Sequence, residues 1–118
     1  TLIGSCHCGA VEFEVDLDNG LTGLRRCNCS LCRRKGAIMA GVSREKLRVT
    51  KGQDKLTLYQ WNTRIAEHYF CSVCGIYTHH KRRTAPDEFG FNIACLESVD
   101  PWSFGEIPVG NGASLSSV

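Results

Sequence analysis

Ser5-Cys6-His7-Cys8-Gly9-Ala10-Val11-Glu12-Phe13-Glu14-Val15 sets two cysteines one residue apart, a glycine directly after the second, and then an alternating apolar and acidic run. The alternation from Val11 to Val15 places every second side chain on one face, which is the period of a half-buried strand. The cysteine pair and its glycine form half of a metal knuckle. A left-handed glycine lets the chain fold back and aim backbone N–H groups at thiolate sulfurs, spreading their charge. A matching half stands at Cys71-Ser72-Val73-Cys74-Gly75. Together they supply Cys6, Cys8, Cys71 and Cys74, an all-sulfur shell that leaves zinc no free position and predicts a structural role. Such a site closes a loop of roughly 65 residues and adds stability that a small all-β core lacks.

Outward from this stretch, Asp18-Asn19-Gly20 supplies a turn. Further short strands are predicted at about Leu21–Arg26, Ala37–Val42, Leu47–Val49, Lys55–Trp61, Ile65–Phe70, Ile76–His80 and Phe89–Cys95, separated by Gly, Asp, Asn and Pro. No segment carries a long stripe of period 3.6, and the best helical candidate is a single turn at Ser30–Lys35 with Ser30 as its N-cap. The fold class is therefore mainly β. From Trp102 onward the chain becomes rich in Gly, Ser and Asn, so a zinc domain over residues 1–104 and a mobile C-terminal tail over 105–118 are expected.

With 118 residues, 42% hydrophobic and 22% charged, the chain suits one domain and excludes a two-domain enzyme. Apolar runs such as Gly36–Val42 end far short of the roughly 20 residues that cross a bilayer. The first residues carry neither a basic stretch nor a long apolar core, so the expectation is a soluble, cytoplasmic protein without a membrane partner. The formal charge of +2 implies no nucleic-acid partner by itself. Eight cysteines are the anomaly. Disulfide frameworks spread cysteines to join distant segments, whereas closely spaced thiols converge on one ion, so metal is the favoured explanation. A redox role for Cys71-Ser72-Val73-Cys74 is disfavoured because that stretch sits among strand signals.

The central cluster, Cys27-Asn28-Cys29-Ser30-Leu31-Cys32, has three thiols and no obvious fourth. Three protein ligands leave a corner for water or substrate, the count that separates catalytic from structural zinc. A fourth ligand from Cys95, His68, His79 or His80 would instead close the site. Arg25, Arg26, Arg33, Arg34 and Lys35 either offset the thiolate charge and attract an anion, or form a solvated basic face. The same histidines are candidates for a general acid near neutrality. Only one of the neighbours His79 and His80 can look into a site, because adjacent strand residues point to opposite faces. A lone cysteine such as Cys95 is most simply a small buried hydrophobe.

Ser5-Cys-His-Cys-Gly-Ala-Val11, Cys27-Asn-Cys-Ser-Leu-Cys-Arg-Arg34, His68-Tyr-Phe-Cys-Ser-Val-Cys-Gly-Ile-Tyr77 and the closing Asn92–Asp100 segment together resemble the glutathione-dependent formaldehyde-activating enzyme family. Its domain also occurs in centromere protein V. The resemblance runs from about Leu2 to Pro101. It implies a zinc-stabilised β-tent fold of twisted antiparallel sheets and a structural zinc on Cys6, Cys8, Cys71 and Cys74. It also implies a catalytic zinc on Cys27, Cys29 and Cys32, where glutathione and formaldehyde meet as S-hydroxymethylglutathione. The founding enzymes are longer at both ends, and this chain lacks the segments that would help enclose a tripeptide.

The expected function is thus a carbon–sulfur lyase or synthase acting on a small thiol, such as glutathione, and an aldehyde. A free thiol is only a few per cent ionised at neutral pH, and full ionisation on a metal gains roughly 2 kcal/mol, so larger acceleration must come from orienting thiol and aldehyde. The alternative is a zinc-ribbon-like module for nucleic acid or protein, suggested by Arg25-Arg26, Arg33-Arg34-Lys35 and Lys81-Arg82-Arg83. Two divalent zincs on seven thiolates would take the charge from +2 to about −1, which weakens that alternative. A third possibility is a metal-stabilised scaffold with no chemistry at all.

Overall fold

The computed structural model describes residues 1–114; the end of the expected tail, residues 115–118, lies outside the described residues. The opening stretch becomes a hairpin. β1 (Leu2–Ser5) pairs antiparallel with β2 (Glu12–Val15), and β2 then pairs with β5 (Leu47–Lys51). The alternation in β2 does what its period requires: Phe13 and Val15 are fully buried, while Glu14 and Asp16 reach out to Arg48. A fully buried side chain of this kind is worth about 1.5–3 kcal/mol.

The second sheet has five antiparallel strands in the order β4 (Met39–Ser43), β9 (Glu88–Asn92), β8 (Tyr77–Lys81), β7 (Glu67–Cys71), β6 (Leu56–Tyr59). Its inner face meets the first sheet. The main core joins Phe13, Val15 and Leu47 of the three-stranded sheet to Ala40 and Phe91 of the five-stranded one, with Ile93 and Leu96 filling below. A third, two-stranded pairing is parallel, β3 (Arg26–Cys27) with β10 (Val109–Gly110). The only α-helix among the described residues is α1 (Ser30–Lys35). No described helix is long and apolar enough to cross a membrane.

The mainly β class is as the sequence predicts, and most strands fall within two residues of their expected bounds. Three differences have local causes. Leu21–Arg26 shrinks to β3, because Gly23 takes a positive φ of 65° and breaks extended pairing ahead of it. Phe89–Cys95 stops at Asn92, whose side chain accepts from the Ala94 N–H and starts a short 3₁₀ turn over Ile93–Cys95. The N-cap of α1 is Cys29, not Ser30: its sulfur accepts from the Cys32 N–H at 3.3 Å.

Candidate functional site

The two knuckles fold as near copies. Cys6 N–H donates to Val11 O at 3.0 Å, and Cys71 N–H donates to Ile76 O at the same distance, each closing its loop across five residues. Gly9 and Gly75 sit at φ of 80° and 79°, the left-handed backbone that makes both reversals possible. Val11 N–H points at Cys6 Sγ at 3.3 Å, and Val73 N–H at Cys71 Sγ at 3.4 Å. Cys74 is drawn down to about 6, first by the Cys8 backbone N–H and then by that of Ile76.

The four sulfurs converge. Cys6 to Cys8 and Cys8 to Cys71 are each 3.7 Å apart, and all four ligand atoms lie within 4.8 Å of one another. A tetrahedron with metal–sulfur bonds of about 2.3 Å has edges of about 3.8 Å, so this donor set fits zinc. Around it, Cys6, Val11 and Cys71 form a second small core with Val49 and Leu56, joining the β1–β2 hairpin to the β7–β8 hairpin.

Cys27, Cys29 and Cys32 make the other cluster, again within 4.8 Å. Cys27 ends β3, Cys29 caps α1, and Cys32 lies in the first turn of that helix. The Cys29 N–H points at Cys27 Sγ at 3.5 Å. Burial pushes the Cys32 thiol up to about 12, so a cation among the three sulfurs is what would ionise it. The donor chemistry fits zinc here as well. Among the described residues, no Cys95, His68, His79 or His80 atom joins this cluster. Cys95 is buried in the main core, its thiol 3.6 Å from Tyr77 O and pushed up to about 12 by burial.

A cavity of about 250 Å³ opens beside the three sulfurs, with Cys27 and Cys32 in its wall. His68 and His80 face it from directly paired positions on β7 and β8. Their rings are 5.4 Å apart, and the His80 ring lies over Gly90, where a Cβ would come within 2.5 Å of it. His79 points the other way, stacked on Tyr69 at 4.8 Å and edge-on to Phe89. The strand alternation thus resolves in favour of His80, with His68 as its companion. Burial, and then the nearby Lys35 cation, lowers His68 to about 4 and His80 well below its usual value. Both shifts favour the neutral ring at pH 7. His68 Nδ1 is 2.8 Å from the Tyr77 hydroxyl, and the Lys35 ammonium sits 3.6 Å above the Tyr77 ring.

Residues 1–105 match the glutathione-dependent formaldehyde-activating enzyme family. The chain belongs to that family. It is 56% identical to a Rhodobacter sphaeroides protein of known crystal structure, with a TM-score of 0.89 over 92% of this chain and 100% of the other. It is also 37% identical over 82 residues to a Halomonas elongata protein that bears the family's name. That match covers 62% of this chain and 51% of the relative, so the chain spans about half the length of the curated relative.

Beyond the family match, residues 108–113 run as a strap over the three-sulfur site of this formaldehyde-activating-enzyme relative. Arg26 N–H donates to Pro108 O at 2.9 Å, Asn28 N–H to Gly110 O at 3.1 Å, and Ala113 N–H to Asn28 Oδ1 at 2.8 Å. A Cβ on Gly112 would stand 2.5 Å from Cys27 Sγ, so only a glycine lets the strap approach this closely. Within the stretch 105–118 expected to be a mobile tail, residues 108–113 are tied to β3 and form one side of the cavity. The sequence reading missed this element because a two-residue strand in a Gly- and Asn-rich run carries no period.

Proposed function

We propose that the chain is a zinc-dependent carbon–sulfur lyase or synthase that joins a small thiol to formaldehyde or another aldehyde, as in S-hydroxymethylglutathione formation. The observation that carries this reading is the three-sulfur cluster, with no fourth side-chain ligand among the described residues, set in the wall of a cavity. Cys27, Cys29 and Cys32 would hold zinc, with Cys6, Cys8, Cys71 and Cys74 holding a structural ion. When bound in the open cluster, the metal supplies ionisation of a thiol near neutral pH and polarisation of a carbonyl oxygen.

The chain's own residues do the rest. Backbone N–H groups of Cys29 and Cys32 point at the Cys27 and Cys29 sulfurs and hold the cluster's shape. Lys35, buried over Tyr77, faces the cluster and offsets its negative charge. We assign the tautomer in which the Tyr77 hydroxyl donates to Nδ1 and His68 carries its proton on Nε2, an atom without a partner among the described residues. That N–H is placed to hydrogen-bond the aldehyde oxygen as the carbon–sulfur bond forms and the C=O electron pair moves onto oxygen. The proton lost by the thiol equals the proton gained by that oxygen, so the addition needs no oxidant. Holding two small reactants together supplies more acceleration than ionisation alone, which is worth about 2 kcal/mol.

The test is formaldehyde consumption followed by NMR with zinc-loaded protein and a thiol. Thiol-dependent turnover that vanishes in a folded Cys29→Ser variant is the expected result. Turnover unchanged in that variant would overturn the assignment.

A further inference from the structure

The strap over the three-sulfur cluster has little of its own to hold it there. Ile107 packs against the main core. Beyond it the apolar anchorage ends: Val109 is 60% exposed, and Gly110, Asn111 and Ala113 are exposed as well. The parallel pairing of β10 with β3 lasts two residues, Val109 opposite Arg26 and Gly110 opposite Cys27, too short to be stable by itself. Two positions further on, Gly112 is nevertheless buried, with a Cβ built on it standing 2.5 Å from Cys27 Sγ and 3.1 Å from Cys29 Cβ. Strand pairing ends too early to seat it so closely.

The side chain of Asn28 supplies the missing hold. Its Oδ1 accepts from the Ala113 N–H at 2.8 Å, and its Nδ2 donates to Asn111 Oδ1 at 3.2 Å. These two bonds grip the residues on either side of Gly112, and the Asn28 N–H adds a third to Gly110 O at 3.1 Å. An amide side chain offers a donor and an acceptor at once, which is what two strap residues with opposite needs require. Asn28 stands between Cys27 and Cys29 in the chain, so the grip is anchored on the cluster itself.

We infer that Asn28 is a positioning residue whose amide clips the strap over Cys27, so that Gly112 shields that sulfur and slows the loss of metal from the three-sulfur cluster. The inference rests on that cluster holding a metal and is independent of the thiol chemistry. Ligands are displaced from an ion one at a time, and the shell around a metal site governs how readily solvent or a chelator reaches it. The four-sulfur site is enclosed instead by the small core between its two hairpins. The coupling runs both ways: a strap that retains the metal is a strap that the metal helps to order.

Cadmium-113 in place of zinc gives one NMR resonance per site, the four-sulfur site at lower field, so both can be followed as EDTA removes the metal. Asn28 is exposed, and its variants should fold. Asn28→Ala is expected to lose metal from the three-sulfur site about tenfold faster than wild type, through the two lost side-chain hydrogen bonds, while the four-sulfur resonance decays at its wild-type rate. The Ala113 amide should exchange faster in the alanine variant and stay protected in Asn28→Asp, which keeps the acceptor. An unchanged three-sulfur decay in Asn28→Ala, equal acceleration at both sites, or an Ala113 amide that exchanges no faster would each overturn the inference while leaving the metal reading intact. If only the four-sulfur resonance appears, the metal reading of the cluster fails and takes the inference with it.

Discussion

The four-sulfur and three-sulfur clusters are drawn from the chain in different ways. Cys8 and Cys71 are 63 positions apart in the chain yet 3.7 Å apart in space, and they join two hairpins from different sheets. Cys27, Cys29 and Cys32 come from one short local segment, and closing them together brings no distant elements into contact. Loop-closure entropy is therefore concentrated in the first cluster. On the proposed function the second keeps a ligand position open because little of the fold depends on it, and the origin of the sulfurs along the chain is then what separates a fastening from a working site.

The comparison breaks most directly by deleting one sulfur from each side. Cys71→Ser should cost more than about 4 kcal/mol or prevent folding, since it removes a fully buried ligand shared by both hairpins. Cys32→Ser should cost less than about 2 kcal/mol while releasing one metal equivalent. Thermal melts with metal quantification check both, and equal losses would mean that both clusters are fastenings.

The two faces of β8 sharpen the contrast further. His79 is buried against Tyr69 and Phe89 and lowered by burial to about 4 from 6.5. Unfolded chain takes up a proton below pH 6.5 that folded chain refuses, so this stability is fully present above 6.5 and is lost as pH falls toward 4. The loss is on the order of 2–3 kcal/mol. Denaturant midpoints for wild type and His79→Phe across that window should differ in slope, with the variant flatter; metal loss in acid is common to both and cancels. Parallel curves would show that the inner face of β8 does not titrate.

A subtler contrast lies in the glycines. Gly75→Ala, with φ at 79° and open space around its Cβ, should cost about 1 kcal/mol of stability through backbone strain alone. Gly112→Ala adds a Cβ at a buried position 2.5 Å from Cys27 Sγ, so the strap must shift, at an expected cost of about 1–3 kcal/mol. It should also weaken thiol binding by pushing the strap off Cys27. Isothermal titration beside a melt distinguishes the two, and a Gly112→Ala protein with intact thiol affinity would remove the strap from the site.

Much of this was legible before any coordinates. The knuckle cysteines announce themselves by spacing and glycine, and β2 by its alternation, because both are short-range patterns with a fixed geometric meaning. The three-sulfur cluster was visible as a set, but its cap was not: Cys29 takes the place expected of Ser30 because a sulfur aimed at the Cys32 N–H does the work of a hydroxyl. Alternation said that one of His79 and His80 faces a site, and only the register opposite Gly90 and His68 said which. The strap was invisible, since Val109–Gly110 pairs in parallel with a strand more than eighty residues earlier and no local signal encodes such a partner.

Cys29 closes the first turn of α1 with the same atom that belongs to the open cluster. An alkylating or oxidising agent that consumed this sulfur would leave the Cys32 amide without its acceptor. Loss of that sulfur would then register in the backbone, as faster hydrogen exchange at one amide of a six-residue helix. The Cys32 amide is a built-in gauge of the chemical state of Cys29.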